Sequence, residues 1–265
     1  MAPYNFDAPD ADAILRSSDG KELRVHRLIL SLSSPVFQGM FSLPSRPTDP
    51  VPTIDVADPS DILERFVQYL YPKSPPNITD VSMWAVMYAI ADKYNAEIVT
   101  EHLRGMLIPR FLEASPLRVY ALASHWGFEE EAKIASRGTL DRDIFEDFPR
   151  EDAELMGGIG CQRLLFLHFN RREAARGLVV KHPLPPSRSS PCTCPPPNYD
   201  GIIPALARRM GSTPRLTSEE LLKEIPRWKL PKPCTLEGGC RYSVANTCTY
   251  FSSLLESIYD LPQTI

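Results

Sequence analysis

An α+β fold is predicted, with a small sheet and helical hairpins in front and a mostly α-helical region behind them. Three observations point there. Residues 13–26 alternate in polarity on either side of Asp19-Gly20, the pattern of a β-hairpin. From residue 58 onward, apolar residues recur at helical spacing in one segment after another. Strand-like alternation does not return after residue 57, so the sheet stays small.

The first strand sets Ala13, Leu15 and Ser17 against Ile14, Arg16 and Ser18. Asp19-Gly20 fits a type I′ turn, and Lys21 to His26 returns with Leu23 and Val25 on one face. The apolar cluster Leu28, Ile29, Leu30 and Leu32 must stop before Pro35, because a residue preceding proline avoids the α region. Ser34 then reads as an N-cap, with Pro35 at the first position of a second helix carrying Val36, Phe37, Met40 and Phe41. A proline-rich loop over Leu43 to Pro52 leads to a strand at Thr53 to Ala57, and Asp58-Pro59 again fits a cap-and-proline start. The helix it opens places Ile62, Leu63, Phe66, Val67 and Leu70 on one stripe. Val81 to Tyr94 is apolar nearly all round and is expected to be buried throughout. Ala96 to Ala114 reads as a helix that includes Ile98, Leu103 and Phe111.

Beyond it the helical pattern continues through Val119, Leu122, Trp126 and Phe128, then Glu129 to Leu140. A helix follows from about Glu151 to Val180, with a break expected at Gly157-Gly158. Pro183 to Pro197 (PLPPSRSSPCTCPPP) is too proline-rich for a core element. Past it, helices are expected near Ile202 to Met210, from Thr217 (where Thr217 and Glu220 fit a capping box), and over Val244 to Tyr259. The expected organisation is therefore residues 1–114, a helical extension over 115–180, a linker over 181–200 and a short helical segment over 201–265.

The chain has a net charge of −4 and a pI near 5.8, which argues against a surface that binds nucleic acid through its phosphates, and no nucleic-acid partner is expected. Arg171, Arg172 and Arg176 cluster, but Glu173 sits among them, and they read as a solvated helix face. Neither a secretory leader nor a membrane-length apolar run is visible. An intracellular protein of cytoplasm or nucleus is expected, its six cysteines reduced.

The run VHRLILSLSSPVFQGMF, Val25 to Phe41, contains His26, then Leu30, Ser34, Phe37, Met40 and Phe41. Asp12 precedes the hairpin, and Ala91-Asp92-Lys93-Tyr94, followed by Ile98, closes a later helix. With these motifs in this order, residues 10–110 resemble a BTB/POZ domain, and the whole is similar to a large group of fungal BTB proteins. The resemblance implies a structural role for those signature residues and a protein–protein interaction function. BTB domains contact cullin scaffolds of ubiquitin ligases through their middle helices. Carried onto this chain, that surface lies around residues 59–71 and the loop to 80, with Asp61, Glu64, Arg65, Gln68, Tyr69 and Tyr71 as candidate partner-binding residues. Tyr69 and Tyr71 are expected to be partly exposed. Only about a dozen residues precede the first strand, too few for the strand and helix that many BTB dimers exchange. A monomer or a different homodimer is expected instead.

No catalytic, cofactor or metal site is expected. His26 has no nucleophile or carboxylate placed beside it by motif, and His102, His125, His168 and His182 lack ligand spacing. Gly157-Gly158-Ile159-Gly160 lacks the strand and the Lys-Ser/Thr of a phosphate loop. Cys192 and Cys194 form one tight pair, but Cys234, Cys240 and Cys248 are dispersed, whereas strong zinc sites pair cysteines in both halves. Cys161, Trp84, Tyr88 and Tyr94 read as core. The leading reading is an adaptor or scaffold that binds a cullin or another BTB protein. The alternative is a nuclear regulator recruiting corepressors through the same domain, although no DNA-reading element is visible.

Overall fold

The computed structural model describes residues 6–43, 51–144, 148–181 and 244–265. The chain folds as two units, Met1–Ser115 and Pro116–Ile265. In the first, β1 (Ala13–Arg16) and β2 (Glu22–Val25) pair antiparallel. Ala13 faces Val25 and Leu15 faces Leu23, and all four side chains are buried. β3 (Thr53–Asp55) joins the other side of β1 in parallel, giving the order β2-β1-β3. On the outer face, Arg16 bridges the three strands by bonding Glu22 and Asp55, each at 3.1 Å.

The hairpin turn differs from the predicted type I′. Of Asp19 and Gly20, only Gly20 has a positive φ, at 84°. The Gly20 N–H donates to the Ser17 carbonyl at 2.9 Å, and the Ser17 N–H to the Lys21 carbonyl. A three-residue loop ending in a left-handed glycine results. The turn frees the Asp19 side chain for another task. Its carboxylate accepts from the Ser17 hydroxyl and from the N–H and hydroxyl of Ser60. These bonds hold Asp19 down at about 2.

Asp19 therefore caps α3 (Ser60–Leu70) from outside the helix. Asp58, the expected cap, does something else: it accepts from Lys93 and from the Tyr94 hydroxyl. The cap predicted at Ser34 forms. Its hydroxyl oxygen accepts from the Phe37 N–H at 3.1 Å, starting α2 (Pro35–Ser42) directly after α1 (Arg27–Ser33).

α4 (Val81–Lys93) and α5 (Glu97–Phe111) form a helical hairpin. Its turn is a Schellman motif: Asn95 lies at φ 49°, with the Asn95 N–H on the Asp92 carbonyl and the Ala96 N–H on that of Ala91. α4 is not buried all round. Trp84, Met87, Tyr88, Ile90 and Ala91 face the core, but Val86 and Ala89 are exposed. In α5 the buried stripe runs through Val99, Leu103, Leu107 and Phe111 at four-residue spacing. Ile98 falls off that stripe and is exposed.

The second unit is helical. α6 (Pro116–His125) packs on α7 (Glu129–Thr139) and on α8 (Arg150–Lys181). α8 breaks where expected, at Gly157, which has φ 68° and ψ 175°. Past the break Gly160 approaches α6 closely: an added Cβ would meet that of Ser124 at 3.3 Å, and the Tyr120 hydroxyl donates to the Gly160 carbonyl. Cys161 is half-buried rather than core, because it stands one residue past that approach. α9 (Val244–Tyr259) packs on α8.

The arginine cluster of α8 is not a solvated face. Arg171 is buried, and its guanidinium donates to the carbonyls of Ile258, Leu261 and Pro262 at 2.7–3.0 Å. Those carbonyls lie at and just after the end of α9, where backbone acceptors lack helical partners. Arg172 pairs with a largely buried Asp143, and only Arg176, bonded to Glu173, stays in solvent. Residues 44–50 of the loop predicted over Leu43 to Pro52, and the linker predicted over 181–200 (beyond Lys181), lie outside the described residues. So do the helices predicted near 202–210 and from Thr217, with Cys192, Cys194, Cys234, Cys240 and the side chain of Cys248.

Among these helices His168 is buried, with Nε2 2.8 Å from the Thr139 hydroxyl. Burial, with Arg172 next to it, pushes its imidazolium pKa down to about 4. Above pH 6.5 both folded and unfolded chains carry a neutral imidazole, and stability does not change through this group. Below it the unfolded chain takes up a proton that the folded one refuses, so stability falls by up to about 1.4 kcal/mol per pH unit until about pH 4. His168→Gln should remove that slope from chemical denaturation measured between pH 7 and 5; an unchanged slope would place the titration elsewhere.

Candidate interaction surface

The signature residues converge on Tyr94. Its ring stacks on Phe37 at 4.6 Å and 9°, and on Phe66 at 5.4 Å. The Ser34 hydroxyl, besides capping α2, donates to the Tyr94 carbonyl at 2.5 Å. The Tyr94 hydroxyl donates to Asp58 at 2.6 Å, and burial with this bond raises its pKa far above the ordinary phenol value. Leu30 and Ala91 are fully buried, Phe41 is buried, Met40 half-buried and Asp92 exposed. Asp12 accepts from the Arg27 N–H at 2.7 Å, at the start of α1.

His26 and Tyr71 form a second junction. The Tyr71 hydroxyl accepts from the His26 N–H and lies 3.0 Å from its Nδ1. Tyr71 is only 6% exposed, with its ring edge-on to Phe6. The expected partial exposure of Tyr71 is therefore corrected: its ring closes the sheet edge, where the Arg24 N–H bonds the Phe6 carbonyl. Asp10 stands 3.4 Å from His26 Nε2, a carboxylate neighbour the motif did not indicate.

Of the other candidates, Asp61 and Arg65 are exposed on α3, while Gln68 and Tyr69 are half-buried. Glu64 pairs with Lys21 of the hairpin. Tyr69 donates to the Pro76 carbonyl at 3.2 Å, and its ring is 5.9 Å from that of His102. Burial pushes its pKa up to about 12. Arg110 of α5 donates to the Asn77 side chain. Tyr69, the 71–80 loop and α5 thus form one continuous surface patch, with Asp61 and Arg65 further up α3.

A second patch was not anticipated. Leu28 and Leu32, one turn apart on α1, are 70% and 78% exposed, and Leu43 past α2 is also exposed. The signal was present in the sequence: a seven-residue helix buries one stripe, here Leu30 alone, and cannot bury four apolar residues. Among the described residues, no group of three or more His, Cys, Asp or Glu side chains could hold a metal ion. Among them also, no helix is long and apolar enough to cross a membrane.

The family model described as BTB/POZ domain matches residues 7–110. Residues 7–110 are a BTB/POZ domain. The BTB/POZ domain is a protein–protein interaction module, and the first unit acts in that capacity. No curated protein matches the chain.

The two hydrogen-bonded junctions of the BTB/POZ domain differ in burial, and their variants should differ accordingly. Ser34→Ala removes an N-cap and a buried bond together and should cost about 2 kcal/mol in chemical denaturation. Tyr71→Phe keeps the ring and loses one hydroxyl at a half-buried histidine, which should cost about 1 kcal/mol. Equal losses would contradict the ranking.

Proposed function

We propose that the protein is an adaptor or scaffold whose BTB/POZ domain self-associates through α1 and holds a protein partner through α3 and the 71–80 loop. A cullin-type ubiquitin-ligase scaffold is the partner this reading favours. The observation that carries it is the Leu28/Leu32 pair. Two leucines on one helical face, each largely in water, contribute about 1.5–3 kcal/mol apiece when a second surface covers them. A pair this small suits an association of modest strength that a second contact reinforces. The α3 patch supplies that contact: Asp61 and Arg65 stand in solvent beside a loop pinned by Tyr69 and Arg110, and rigid placement lowers the ordering cost of binding.

The test is a pull-down from cell extract with the intact chain, with Asp61→Arg/Arg65→Glu, and with Leu28→Asp/Leu32→Asp, the recovered proteins being identified by mass spectrometry. Recovery of a cullin that the α3 variant loses supports the adaptor reading. Recovery only of the chain itself, lost in the leucine variant, sinks the cullin assignment and leaves a scaffold. Recovery only of chromatin proteins favours the nuclear regulator instead.

A further inference from the structure

The loop between α3 and α4 carries a dipeptide that local structure does not use. A Ser-Pro pair ordinarily starts a helix, with serine as the cap and proline at the first helical position. Of the three such pairs among the described residues, two precede a helix: Pro35 opens α2 and Pro116 opens α6. Ser74-Pro75 opens nothing. Irregular chain continues from it to Asp80, whose own carboxylate caps α4 by accepting from the Met83 N–H.

The same loop is open to solvent. Pro72, Lys73, Ser74 and Pro75 are all exposed, while the loop is held at either end by the buried Tyr71 and Ile78. Near its far end the Pro76 carbonyl accepts from Tyr69, and the Asn77 side chain accepts from Arg110. Among the described residues no hydrogen bond engages Ser74. Pro75 biases Ser74 toward extended backbone, and neither Pro75 nor Pro76 has an N–H to tie the chain down. An exposed, extended serine followed by proline is the form in which a proline-directed protein kinase takes its substrate.

We infer that Ser74 is a phosphorylation site for a proline-directed serine/threonine kinase, and that its phosphate releases the partner held by α3 and this loop. In the transfer the Ser74 Oγ attacks the γ-phosphorus of ATP. Its proton passes to the kinase's catalytic carboxylate, and the bond to the β-phosphate oxygen breaks to leave ADP. The release rests on the partner surface proposed above; the site does not. Lys73 is the one charged side chain between Tyr71 and Thr79, and Arg110 stands beside the loop. The unmodified loop is therefore basic and complements an acidic partner. A phosphoserine carries about −1.5 to −2 charges at pH 7. That reverses the sign of the loop and sets like charge against like.

The test uses the intact chain. Isolated from its own cells under phosphatase inhibitors, it should carry phosphate on Ser74 in peptides mapped by mass spectrometry; an unmodified Ser74 there overturns the site. A purified cyclin-dependent kinase with Mg-ATP should modify Ser74 of the intact chain, and Pro75→Ala should lose that modification. A peptide of residues 70–80 is the control. Modification of the peptide but not the chain, or of neither, overturns the site, as does modification that persists in Pro75→Ala. In the pull-down, kinase treatment should lower partner recovery about tenfold, and Ser74→Ala should recover the same amount with and without kinase. Undiminished recovery by the phosphorylated chain overturns the release. An unmodified chain that recovers no partner overturns the release together with the adaptor reading, while the mapping still decides the site.

Discussion

The ring of Tyr94 lies between the helices of the BTB/POZ domain and holds three of its parts in register. Phe37 stacks on it from α2 and Phe66 from α3, while Ser34 binds its carbonyl and Asp58 its hydroxyl. A phenol buried this deeply needs an acceptor, and Asp58 supplies one from the segment between β3 and α3. Asp58 is unavailable to cap α3 as a result. Asp19 caps that helix from the hairpin turn, which ties the sheet to α3. One buried hydroxyl thus sets the position of both the helix and the turn, and the exposed side of α3 is presented at a fixed angle.

The second unit is organised by polar groups buried among helices. Arg171 on the end of α9 and His168 on Thr139 are buried, while Arg172 on Asp143 and Arg118 on Asp152 place charges where water is partly excluded. Such contacts add little net stability over apolar packing. They do penalise alternative registers, because a helix slid by one turn would strand each of these groups without its partner. Around them α6 packs on α8 at Gly160, where an added Cβ would stand only 3.3 Å from that of Ser124.

Much of the first unit was legible in the sequence. Alternation placed the hairpin, Ser34-Pro35 placed the start of α2, and the spaced apolar residues of α3 gave its buried stripe, because each of these signals is local. The departures share a cause. Asp19 took the cap expected of Asp58 while Asp58 bound Tyr94, Arg171 entered the core, and Tyr71 turned inward, each through a partner between 36 and 91 residues away. Spacing along the chain carries no trace of such pairings. Val86 was expected in the core because the hydrophobicity of residues 81–94 was counted without asking which stripe a neighbouring helix could cover. Of the candidate surface, the exposed positions Asp61 and Arg65 could be read from helix geometry, whereas the Leu28/Leu32 pair required knowing that α1 has one buried side.

The guanidinium of Arg171 waits for carbonyls that arrive 87 to 91 positions later. On a ribosome adding about 5–20 residues per second, that interval lasts on the order of 5–20 s. Throughout it α8 holds a charge meant for its interior, and the carbonyls of α9 that will bind it are not yet made. The BTB/POZ domain has no such debt to the end of the chain, since every bond described within it closes before residue 116. Synthesis therefore delivers the interaction module first and its helical companion last, and a message cut short between codons 116 and 258 encodes the whole of the former without the acceptors that complete the latter.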